Sequence, residues 1–93
     1  MEELKKYRES IDLIDQQIRE LFLERMITVE KIANLKMEKD MTVYDHAREN
    51  EIINKNLSSL ENSEFKDYYQ EVLYTILKVS KEYQKAIIIR STI

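Results

Sequence analysis

The chain has 93 residues with no Gly, Pro, Cys or Trp, and its 15 Lys and Arg against 18 Asp and Glu leave a formal charge of −3. Gly and Pro punctuate strands, hairpins and tight turns, so their absence disfavours β and α/β architectures and favours long helices. The mixed, slightly acidic charge argues against a disordered polyelectrolyte and against nucleic acid as partner, and the lack of Cys removes disulfides, thiolate nucleophiles and Cys-based metal sites.

In chain order, Leu4, Tyr7, Ile11, Ile14, Ile18 and Leu21 alternate spacings of three and four, the pattern of an amphipathic helix. The rhythm runs on through Arg25 and Thr28 to Ile32 and Leu35, and a first helix is predicted over 2–38. Residues 39–44 lose the period and read as a connector. A second helix is predicted to begin near Thr42 or Asp45, either of which can cap exposed amides with a side-chain oxygen. Its apolar positions are Ile52, Ile53, Leu57 and Leu60, and Ser58-Ser59 with Asn62-Ser63 mark the next connector. Ser63 is the expected cap of a third helix that carries Phe65, Tyr69, Val72, Ile76, Val79 and Tyr83 and runs to about Arg90. The fold class is therefore all-α, with three helices in a single domain over residues 1–93. No apolar run approaches the ~18 residues of a membrane span. No Arg-rich or apolar leader is read either, and the expected compartment is the cytoplasm.

Length alone then implies a partner. A 37-residue helix spans roughly 55 Å at ~1.5 Å per residue, whereas a compact chain of this size has a radius of gyration of about 12 Å. The first helix would project with its apolar seam bare. The simplest cover is a second copy, which predicts an intertwined helical homodimer.

The seam is broken by Arg25, and Lys36 lies about three turns further on, on the same side. A snorkelling or register-setting arginine accounts for one such cation. Two inward cations are costly to bury unless an anion meets them, which points to a small acidic ligand. The third helix has a parallel anomaly: Leu73, Leu77, Ser80, Gln84 and Ile87 form a second stripe whose middle members are polar. Ser80 and Gln84, four residues apart, can present a hydroxyl and an amide to one site. Asp45, Arg48, Glu49 and Ile52 share a face at the start of the second helix, an arrangement equally compatible with an exposed first turn. Arg8 stands roughly 25 Å along the helix axis from Arg25 and about 100° around it, so it reaches the same small ligand only from another subunit. His46, the one histidine, reads as a surface residue.

The ordered set Arg8, Arg25, Lys36, the segment Val43-Tyr44-Asp45-His46-Ala47-Arg48-Glu49, Ser80 and Gln84 resembles the all-helical chorismate mutases over residues 4–88. Arg8-Glu9-Ser10-Ile11-Asp12-Leu13-Ile14-Asp15 is similar to the opening of that family's first helix. The resemblance implies a dimeric enzyme that converts chorismate to prephenate, on the branch toward phenylalanine and tyrosine, with no metal and no cofactor. It implies that Arg25 and a neighbouring subunit's copy of Arg8 bind the substrate carboxylates. Lys36 and Gln84 would donate to the ether oxygen of the breaking bond. Glu49 and the backbone near Asp45 would hold the ring hydroxyl, and Arg48 and Ser80 would orient the site and a carboxylate. The reaction is pericyclic, needing a selected conformer and preorganised donors rather than a nucleophile. Two other readings stay open: an isochorismate pyruvate lyase on the same fold, and a non-catalytic helical interaction module.

Overall fold

The computed structural model describes residues 1–92; Ile93, the last position of the expected domain, lies outside the described residues. The chain forms α1 (Glu2–Glu38), α2 (His46–Ser58) and α3 (Lys66–Thr92). The all-α class and the predicted span of the first helix are borne out. No helix among the described residues is long and apolar enough to cross a membrane.

Glu2 and Glu3 lie in the first turn of α1, where acidic side chains meet the positive end of the helix. Its other end closes without glycine. The Met41 N–H donates to the Lys36 carbonyl at 2.8 Å, and the Asp40 N–H to the Met37 carbonyl at 3.2 Å. This bond pair ends a helix through one left-handed residue, usually Gly, and here Asp40 holds that place with φ 56°. For a non-Gly residue the conformation costs roughly 1–2 kcal/mol, while introducing Gly costs about 0.4–1 kcal/mol through the unfolded chain. Asp40→Gly is therefore expected to stabilise the protein by about 0.5–1 kcal/mol, read as a higher urea midpoint at unchanged slope. An unchanged or lower midpoint would contradict this.

Of the two expected caps for α2, Asp45 is the one used: its Oδ1 accepts from the Arg48 N–H at 3.0 Å. Thr42 instead donates its hydroxyl to the Tyr44 carbonyl. The expectation for Ser63 is corrected. Its Oγ accepts from the Phe65 N–H, two residues on, at 3.0 Å, and α3 starts only at Lys66. A hydroxyl that bonds its own near backbone stabilises a turn in competition with the helix, and Phe65 remains outside α3 and exposed.

Helix α3 packs on both α1 and α2. Its buried residues are Leu73, Leu77, Ser80, Gln84 and Ile87, the stripe with the two polar members. The more apolar stripe from Phe65 to Tyr83 stays half-buried or exposed. On α1 only Val29 and Ala33 are buried. Val29 stands about 60° around the helix from Ile32, so the face that meets α3 lies beside the long apolar seam and leaves that seam bare. The molecule measures 56 × 30 × 14 Å with a radius of gyration of 17.0 Å. A compact chain of this length has a radius of gyration of about 12 Å, so the arrangement is open and elongated, and its buried apolar set is small: Val29, Ala33, Leu73, Leu77 and Ile87.

Candidate active site

The Schellman-type turn after α1 and the Asp45 cap lead the connector into α2, so that both line the same cavity as the C-terminal half of α1. The buried stripe of α3 closes the opposite side. Between them lies an open-sided cavity of ≈ 150 Å³, space for about five waters or one small ligand. Helix α1 lines it with Arg25, Val29, Ile32 and Lys36, and the connector with Val43 and Asp45. Arg48, Glu49 and Ile52 come from α2, and Leu77, Ser80, Lys81 and Gln84 from α3. Of the eight residues expected at the site, seven line this cavity. Arg8 does not: it sits near the start of α1, in a surface depression lined by Met1 and residues of that helix.

The polar groups are held from behind. An Arg25 guanidinium N–H donates to Ser80 Oγ, and the Ser80 hydroxyl donates in turn to the Ile76 carbonyl at 2.8 Å. The single Ser80 proton is thereby committed to the backbone, which leaves its oxygen as the acceptor that fixes Arg25. Lys36 Nζ donates to the Val43 carbonyl at 3.1 Å, tying α1 to the connector. Gln84 is 8% exposed, and its Oε1 is buried without a hydrogen-bond partner among the described residues. A buried acceptor left this way is costly unless a ligand or a water meets it.

Charge sorts these residues further. Arg48 pairs with Glu51 and Lys81 with Glu49. Arg25 and Lys36, both half-buried, have no carboxylate partner among the described residues. The cavity is lined by four cations and two carboxylates, a formal excess of two positive charges in a chain of net charge −3. Contact with the Glu49 carboxylate raises the Lys81 pKa above the ordinary lysine value, against a smaller opposing effect of burial. Outside the cavity, the Tyr83 hydroxyl donates to Glu30 at 2.8 Å across α1 and α3, and this bond, with some desolvation, raises the tyrosine pKa.

Such a pocket suits a small dianion. Guanidinium forks match carboxylates, while Lys36 and Gln84 can direct donors at a further oxygen. Val29, Ile32, Val43, Ile52 and Leu77 give it apolar walls, and in low-dielectric surroundings each polar contact is stronger than in water. Among the described residues, no group of three His, Cys, Asp or Glu side chains is arranged to hold a metal ion. Sequence reasoning did not single out Lys81, although it adjoins Ser80 and lies three residues before Gln84 on α3. Nor did it find the Val43 carbonyl, which a residue pattern cannot reveal because the acceptor is backbone.

A family model described as chorismate mutase type II matches residues 7–85. Comparison with curated proteins and with solved structures gives no match. The matched span opens one residue before Arg8, closes one residue after Gln84, and takes in every residue discussed at the cavity. The chain belongs to the chorismate mutase type II family.

Proposed function

We propose that this chain catalyses the rearrangement of chorismate to prephenate, on the route to phenylalanine and tyrosine, as a cytoplasmic homodimer of single-domain subunits with two equivalent sites. The observation that carries the reading is the pairing of two uncompensated cations, Arg25 and Lys36, with the buried Gln84 amide around one positively biased cavity. Chorismate is a small dicarboxylate. Its rearrangement forms a carbon–carbon bond while an ether C–O bond breaks, with no proton to move. The enzyme's work is then to hold a compact conformer, bringing the bonding carbons together, and to stabilise negative charge as it grows on the ether oxygen. Arg25, steadied by Ser80, and Arg8 of the partner subunit grip the carboxylates. Lys36 and Gln84 donate to the ether oxygen. Glu49 accepts the ring hydroxyl near the Asp45 backbone, and Arg48 helps orient a carboxylate.

A second copy is supported by area. A monomer of 11.3 kDa exposes about 5,700 Å², whereas this chain exposes 7884 Å². The excess, roughly 2,000 Å² per chain, falls within the size of obligate homodimer interfaces when two chains are summed. The seam Leu4, Tyr7, Ile11, Ile14, Ile18 and Leu21 is exposed throughout. An apolar groove of ≈ 870 Å³ also opens where α1 and α3 diverge, lined by Ile18, Leu21, Phe22, Tyr69, Val72 and Ile76 beside Asp15, Arg19 and Arg25. An N-terminal half-helix from another copy would cover this surface and carry its Arg8 toward Arg25.

The direct test is to incubate the purified protein with chorismate and with isochorismate. Loss of chorismate absorbance with prephenate as product is expected. Salicylate fluorescence from isochorismate, without prephenate formation, would assign the lyase reaction instead, and activity on neither would leave a helical interaction module.

A further inference from the structure

Lys81 is a cation at the cavity with no place in the roles assigned above. Its Nζ lies 2.9 Å from Glu49 Oε1, with the two side chains only 29% and 22% exposed. The same ammonium stands 5.3 Å from the centre of the Tyr44 ring, within range of a cation–π attraction. Tyr44 is itself held edge-on by His46, with ring centres 4.2 Å apart. A connector residue, Tyr44, thus stands between the first residue of α2 and Lys81, and of these three Lys81 is the one in contact with the Glu49 carboxylate. Contact with that carboxylate also raises the Lys81 pKa, which keeps the ammonium charged throughout the neutral range.

Two consequences follow for Glu49. One of its oxygens, Oε1, is buried with the Lys81 ammonium 2.9 Å away as a charge contact, so Oε2 is the oxygen not engaged by the lysine and open to accept from a ligand. The pair is also electrically neutral. A lone carboxylate in a half-buried pocket would attract any cation, including a ligand ammonium. A carboxylate already matched by Lys81 still accepts a hydrogen bond from a neutral hydroxyl but offers an ammonium little, because the lysine repels it.

We propose that Lys81 is a positioning residue for Glu49, orienting its carboxylate and neutralising it so that the site accepts a ring hydroxyl and rejects an ammonium at the same place. This rests on the chorismate reading of the cavity. The other cations do not substitute for it: Arg48 is turned to Glu51, and Lys36 to the Val43 carbonyl.

The test uses the full chain in four forms, wild type, Lys81→Met, Lys81→Arg and Glu49→Gln. The two substrates are chorismate and the analogue with an amino group in place of the ring hydroxyl. Lys81→Met is expected to raise KM for chorismate about tenfold with a much smaller change in kcat, and Lys81→Arg to restore most of the loss. The preference for chorismate over the amino analogue, as a ratio of kcat/KM values, should fall about tenfold in Lys81→Met and stay near wild type in Lys81→Arg. Adding Lys81→Met to Glu49→Gln should cost little more, since the two act through one contact. A merely structural lysine would lower both substrates alike and leave the ratio unmoved. Should Lys81→Met fail to fold by circular dichroism, Lys81→Gln carries the same comparison. An unchanged KM and an unchanged substrate ratio in a folded variant overturn this inference alone. A wild-type protein that converts neither substrate overturns the reading of the site beneath it.

Discussion

Arg25→Ala is expected to lower kcat/KM for chorismate by about three orders of magnitude, roughly 4 kcal/mol, while the helical fold survives. The size follows from what the arginine does. It is half-buried, has no carboxylate partner among the described residues, and is aimed by the Ser80 oxygen. Its loss leaves a bound carboxylate desolvated and unpaired, a larger penalty than the loss of an exposed ion pair, which is worth ~0–1 kcal/mol. The fold should tolerate the change because the side chain's recorded bond is the one to Ser80, and that hydroxyl keeps its own bond to the Ile76 carbonyl. Circular dichroism and single-substrate kinetics on the same preparation check both halves. A variant that keeps wild-type kcat/KM would remove Arg25 from the site.

Gln84→Glu is expected to cost about two to three orders of magnitude in kcat at neutral pH and to recover as the pH falls. The amide donates at any pH, whereas a carboxylic acid donates only when protonated. An ionised Glu there would face the oxygen on which negative charge accumulates, so the loss is a donor and a repulsion together. Position 84 is nearly fully buried, and burial raises a carboxyl pKa. The activity limb of the variant should therefore lie above the ordinary glutamate range, where wild type has no such limb from this residue. Superimposable pH–rate profiles for the two proteins would show that Gln84 does not donate to the reacting oxygen.

Much of this was legible in the sequence, for identifiable reasons. Helix α1 could be read to the residue because its apolar period runs unbroken and nothing inside it disfavours a helix. That Arg25, Ser80 and Gln84 would line one cavity could be read because they are out of place on otherwise apolar stripes, and a polar residue in such a stripe calls for a reason. What the pattern left open was which stripe of α3 meets its own chain. Judged by hydrophobicity, the Phe65–Tyr83 stripe outranks the one through Leu73 and Ile87, yet the latter is buried within the chain. Period reveals that a face is apolar; it does not say which of two apolar faces meets its own chain and which is left bare. The Asp40 turn and the start of α3 were missed for another reason. Both depend on a few local hydrogen bonds, the Met41 and Asp40 N–H groups to the Lys36 and Met37 carbonyls and the Phe65 N–H to the Ser63 hydroxyl, and such bonds leave little trace in composition. Lys81 was passed over because a lysine on a helix edge is ordinary until its partner, Glu49, is seen beside it.

In the proposed dimer each site is assembled from two chains, Arg25 from one and Arg8 from the other. Mixing Arg8→Ala and Arg25→Ala proteins, each close to inactive alone, tests it most directly. In a two-fold dimer formed from both, one site recovers both arginines and the other loses both. Free exchange makes half the dimers mixed, so the mixture should regain about a quarter of the wild-type turnover. If differently tagged chains demonstrably form mixed dimers and chorismate turnover stays at the level of the separate variants, the shared site is wrong.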